Sequence, residues 1–105
     1  MAEGLITTAR AVSEAALSTE GVHALGGGTF AEAATYEGSE KFVGVSVTET
    51  EVEVHIVAKY PLAKPIPELA KDIEKNVSPE SGGRRISVVI EDIEVAEEVA
   101  DDVDL

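Results

Sequence analysis

The segment from Val43 to Val57 constrains this chain more than any other. Val43, Val45 and Val47 alternate with Gly44, Ser46 and Thr48, and beyond a short break Val52, Val54 and Ile56 alternate with Glu51, Glu53 and His55. Successive strand side chains point to opposite faces, so each half reads as a strand with one apolar face. A turn at Glu49-Thr50 pairs 47 with 52, 45 with 54 and 43 with 56, which gathers all six apolar residues on one side. The second strand continues through Val57, Ala58 and Tyr60 until Pro61, which has no ladder N–H to donate. A hairpin with one apolar face must be covered, so the rest of the chain has to supply the cover.

Two segments have the right period. Leu5, Ile6, Ala9, Val12, Ala16 and Leu17 recur at helical spacing, and Gly21 follows where a helix would end. Ile66, Leu69, Ala70, Ile73 and Val77 fall at i, i+3, i+4, i+7 and i+11, a single-faced helix with Pro67 and Glu68 in its first turn. Before it, Pro61–Pro67 reads as an extended connector, because residues preceding proline avoid the helical region. Ser78-Pro79 ends that helix, and Ser81-Gly82-Gly83 turns the chain into a last strand, in which Ile86, Val88 and Ile90 alternate with Ser87, Val89 and Glu91. Val22, Ala24 and Leu25 read as a short strand, Gly26-Gly27-Gly28 as a flexible connection, and 30–36 as a further strand. The expected fold is α+β: a two-layer sandwich of one antiparallel or mixed sheet with two helices packed on one face. A single domain over 1–93 is expected, followed by a flexible acidic tail over 94–105. Within that tail Val95, Val99 and Val103 repeat every four residues, but the like-charged pairs Glu94/Glu98 and Glu97/Asp101 oppose an isolated helix.

Charge narrows the function. The 105 residues hold 21 acids and 8 bases, a net charge of −13, and residues 91–105 carry acids and no base. Such a balance repels phosphate backbones and anionic lipid and favours basic protein surfaces. No cysteine is present, which excludes disulfides, thiolate metal sites and cysteine nucleophiles. No apolar run reaches membrane-spanning length, and Met1-Ala2-Glu3-Gly4 lacks a basic leader, so a cytoplasmic location is expected.

Catalytic patterns are missing. Gly26-Gly27-Gly28-Thr29 lacks the Lys-Ser/Thr of a phosphate loop, no Gly-x-Ser-x-Gly occurs, and no Ser/His/Asp set can be assembled by spacing. Glu51, Glu53 and His55 share the outer hairpin face, where they could hold a divalent cation weakly. A solvated acidic face accounts for the same residues, and neither a metal nor a cofactor is expected. Gly82-Gly83-Arg84-Arg85 is the one basic cluster. It resembles the Gly-x-x-Gly loop of KH-type RNA-binding modules, but arginine stands where the second glycine belongs. Arg84 and Arg85 are more simply charge compensation for the tail or for another subunit. The expected contact residues are Arg84, Arg85, Val95, Val99 and Val103.

Glu20-Gly21-Val22 at the helix end, Val43-Gly44-Val45 opening the hairpin, Tyr60 closing it, Ile66-Pro67-Glu68 and Ile86-Ser87-Val88-Val89-Ile90-Glu91 occur in this order. In that ordered set, over roughly 5–93, the chain resembles the bacterial alkaline-shock-protein family, also called the general-stress Gls envelope stress response family. The resemblance implies a non-enzymatic cytoplasmic protein of cell-wall homeostasis that self-associates and is held at the inner face of the membrane by an integral-membrane partner carrying a related domain. Pro61 departs from the family's usual glycine, and the chain lacks the long extensions of the best-known members. The alternative left by the residues is a nucleic-acid-binding, KH-like module built on Gly82–Arg85.

Overall fold

The computed structural model describes residues 4–27 and 32–95. In chain order these form α1 (Leu5–Leu17), β1 (Val22–Leu25), β2 (Ala34–Glu37), β3 (Glu40–Val43), β4 (Val45–Val47), β5 (Glu51–Tyr60), α2 (Ile66–Val77), a 3-10 turn over Ser78–Glu80, and β6 (Arg85–Val95). Both helices occupy the expected spans, and the architecture is the expected α+β sandwich with a mixed sheet.

β5 organises that sheet. Along one side it carries β6 in parallel over its whole length, from Glu51 opposite Arg85 to Tyr60 opposite Val95. Along its other side two short antiparallel strands follow one another. β4 pairs Val47 with Val52 and Val45 with Val54, whereas β1 pairs Leu25 with Ile56, Ala24 with Val57 and Val22 with Ala58. Parallel neighbours need a long crossover, which α2 supplies.

The inner face carries Val22, Val45, Val47, Val52, Val54, Ile56 and Ala58, all buried, with Ile86, Val88 and Ile90 partly buried beside them. Ala9, Val12 and Ala16 of α1 and Leu69, Ile73 and Val77 of α2 close over this face. The small residues of α1 let that helix lie close to the valine surface. Asn76 donates to the Thr19 hydroxyl at 2.8 Å and ties α2 to the end of α1.

Several sequence expectations are corrected. The hairpin stops at Val45: Val43 does not pair with Ile56 but with Ala34, in a separate two-stranded ribbon of β2 and β3. Gly44 makes that departure, with φ of 106°, a conformation side-chain-bearing residues rarely adopt. The strand read over 30–36 is Ala34–Glu37 where described, and β3 had not been anticipated. The last strand runs beyond Ile93 through Glu94 and Val95, which lie opposite Lys59 and Tyr60. Val95 therefore belongs to the sheet and not to a helical stripe, and the boundary expected at 93 moves outward. Val99, Val103 and the rest of the acidic segment lie outside the described residues.

The ribbon serves the main sheet in two ways. The Thr35 hydroxyl donates to the Val45 carbonyl at 2.6 Å and accepts the Val47 N–H at 2.9 Å, so a side chain completes the outer edge of β4. The Glu37 carboxylate accepts the Ile6 N–H at 3.0 Å, occupying the positive end of α1, where Gly4 offers no side-chain cap.

Candidate functional site

Two features stand out: a buried histidine between two carboxylates, and an open sheet edge lined by apolar side chains.

His55 sits at the middle of β5 on the face away from the helices. Its Nδ1 lies 2.6 Å from Glu91 Oε2 and its Nε2 lies 2.5 Å from Glu53 Oε2. Glu53 precedes it by two residues and shares its face. Glu91 reaches it through an irregularity of β6: Ile56 lies opposite Ile90 but Val57 lies opposite Asp92, leaving Glu91 as the extra residue. The His55 and Glu91 side chains are 8% and 7% exposed, whereas that of Glu53 is 41% exposed. Gly26 closes over Glu91; a Cβ there would stand 2.5 Å from the Glu91 Cδ. Burial of His55 disfavours its charged form, but hydrogen bonds and charge attraction from Glu53 and Glu91 outweigh this and raise its pKa above the ordinary 6.5.

The same residue marks a joint in the backbone. The His55 N–H donates to the Gly44 carbonyl at 3.0 Å, and its carbonyl accepts the Gly26 N–H at 2.7 Å. β4 hands over to β1 at this point: His55 bonds Glu91 of β6 through its side chain and, through its main chain, Gly44 just before β4 and Gly26 just after β1.

The expected outer face is thus corrected in one respect. Glu51, Glu53 and His55 do share it, but His55 is buried and ion-paired instead of solvated, because β6 lies alongside and Gly26 closes over Glu91. Glu51 turns to Arg85, its Oε2 3.6 Å from the Arg85 Nε. Among the described residues no group of three His, Asp or Glu side chains is arranged to hold a metal ion.

The second feature lies on β6. Its far edge pairs with no other strand among the described residues, and near its C-terminal end the Ile93 N–H donates to the Asp92 carboxylate at 2.8 Å. At its C-terminal end Tyr60, Leu62, Ile93 and Val95 are exposed. A groove of about 320 Å³, lined by Ile66, Ile90, Glu91, Asp92 and Ile93, continues from them. A hollow of about 610 Å³ elsewhere, between Lys71, Glu74, Lys75, Ser78 and Pro79 on α2, is wide open and brings no reactive set together.

The basic cluster is largely engaged within the chain. Arg84 donates from Nε to the Thr48 carbonyl at 2.6 Å and from Nη1 to the Ser81 carbonyl at 3.0 Å, so it pins the turn before β6 to the turn between β4 and β5. Arg85 is exposed, and its Nε lies 3.6 Å from the Glu51 carboxylate of its own chain. Of the expected contact residues, Val95 falls within the apolar strip, while Arg84 and Arg85 lie at the opposite end of β6. Tyr60, Leu62 and Ile93 were missed because their exposure follows from strand order, although the run Ile86–Val95 signalled a strand longer than the one read. Glu91 was missed as a partner of His55 because parallel pairing brings together residues 36 apart.

No family model, curated protein or solved structure matches this chain. No helix among the described residues is long and apolar enough to cross a membrane.

Proposed function

We propose that this chain is a non-enzymatic interaction protein that acts through contact with protein partners and with further copies of itself. The observation carrying this reading is the unpaired edge of β6 flanked by exposed Tyr60, Leu62, Ile93 and Val95. An open edge adds a strand through main-chain hydrogen bonds, and an adjoining apolar strip gives the contact area and selectivity. The resemblance of its residue pattern to the alkaline-shock-protein family supports reading this activity as part of envelope stress response and cell-wall homeostasis. It also supplies the kind of partner: an integral-membrane protein with a related domain, holding a cytoplasmic protein at the inner membrane face. Strong net negative charge favours a partner whose docking surface is basic.

Sedimentation velocity over a range of concentrations tests the reading. The wild-type chain is expected to associate as concentration rises, and the double variant Ile93→Lys/Val95→Lys to sediment as a monomer with an unchanged circular dichroism spectrum. Wild type remaining monomeric throughout, or a variant that associates equally well, would count against it. Titration with short RNA at low salt separates the alternative: the KH-like reading requires saturable binding lost with Arg85→Ala, and the interaction reading requires none.

A further inference from the structure

We propose that His55, clamped between Glu53 and Glu91, is a proton-operated latch that fastens β6 and the β1–β4 joint to β5 and releases when the solution turns alkaline. The argument is geometric. A carboxylate only accepts hydrogen bonds, and a neutral imidazole carries a single N–H. Between two ionised carboxylates, ring nitrogens at 2.6 and 2.5 Å from the oxygens both donate, and the arrangement closes around an imidazolium.

Losing one proton to solvent leaves a ring lone pair facing a carboxylate. The two sides are unequal. Glu53 is 41% exposed and can swing into water, whereas Glu91 is 7% exposed and hemmed in by Gly26. Nδ1–H consequently stays on Glu91, Nε2 gives up its proton, and Glu53 leaves. The three side chains pass from a net charge of −1 to −2, and that added charge is relieved as Glu53 withdraws into water, leaving a neutral imidazole beside Glu91.

The other charges on the described parts of the surrounding elements lie along β5, β6 and β1. On β5, Glu51 is paired with Arg85 of β6, and Lys59 lies four residues along, opposite Glu94. β6 adds Asp92 and Glu94, and β1 contributes His23, which lies 3.7 Å from Glu94. β4 presents the uncharged Ser46 opposite Glu53. Because the His55 main chain bonds Gly26 and Gly44, release of its side chain is felt where β1 and β4 meet. Because the pKa is raised above the ordinary 6.5, the closed state lies on the acid side of that raised midpoint and the release on its alkaline side. The latch belongs to the isolated chain and does not depend on whether the β6 edge binds a partner.

Nuclear magnetic resonance on the full chain with labelled histidine tests this. The expected result is that both His55 ring nitrogens are protonated at pH 7. Nε2 then loses its proton at a midpoint above 6.5, and the Gly26, Gly44 and Glu91 amides shift with that midpoint. Glu53→Gln, which alters a partly exposed side chain, is expected to lower the midpoint, and His55→Gln to abolish the coupled amide shifts. A His55 ring with one proton at pH 7, or a midpoint unmoved by Glu53→Gln, would overturn the proposal.

Discussion

The imidazole of His55 and the carboxylate of Glu91 meet at 2.6 Å across the seam between β5 and β6, both almost wholly withdrawn from solvent. Their contact sets the sign of the pH dependence of stability. The pKa of His55 is raised by folding, so the folded state binds its proton more tightly than the unfolded chain does. The stabilisation is fully present below about pH 6.5, the unfolded value, and is lost as pH rises through the folded one. Urea midpoints measured from pH 6 upward should fall across that window for wild type, and the fall should be flatter for His55→Gln.

Thr35 offers a test of the β2–β3 ribbon. Its hydroxyl serves both the Val45 carbonyl and the Val47 N–H, so Thr35→Val keeps the volume but orphans two buried main-chain groups. A loss of about 1–3 kcal/mol is expected. Thr35→Ser should recover most of it, as read by urea denaturation.

Gly44 turns the chain from the ribbon into the main sheet at φ 106°, and a Cβ there would stand 3.0 Å from Leu25 Cδ1 and 3.1 Å from its Cβ. Gly44→Ala should destabilise by about 1–3 kcal/mol through backbone strain, with the crowding of Leu25 adding to it. Thermal unfolding of the variant checks this.

Glu37 holds the start of α1 from another element. Glu37→Ala removes the acceptor for the Ile6 N–H and should cost about 0.5–2 kcal/mol, the range of a lost helix cap. Hydrogen exchange should quicken in the first turn of α1 and leave α2 unchanged.

Much of this architecture was legible in the sequence because it is periodic. The α1 and α2 stripes, the 45/54 and 47/52 register and the strand opening at Ile86 all follow from spacing alone. Long-range choices were not legible. Nothing in Val43 distinguishes pairing with Ile56 from pairing with Ala34; the turn at Gly44 and the competing strand Val22–Leu25 decide it. Nor does Val95 reveal whether it continues a strand or begins a helical stripe until Tyr60 lies opposite. His55 reads as solvated on its own hairpin, and only β6 buries it. The candidate surface was the least legible part, since an open edge is a property of strand order.

Amide hydrogen exchange along residues 85–95, measured at dilute and at high protein concentration, addresses the proposed role of the β6 edge most directly. Wild-type amides pointing away from β5 should exchange freely when dilute and become protected as copies associate, and Ile93→Lys/Val95→Lys should leave them unprotected throughout. Protection that appears elsewhere while the β6 amides stay open at every concentration would contradict the account.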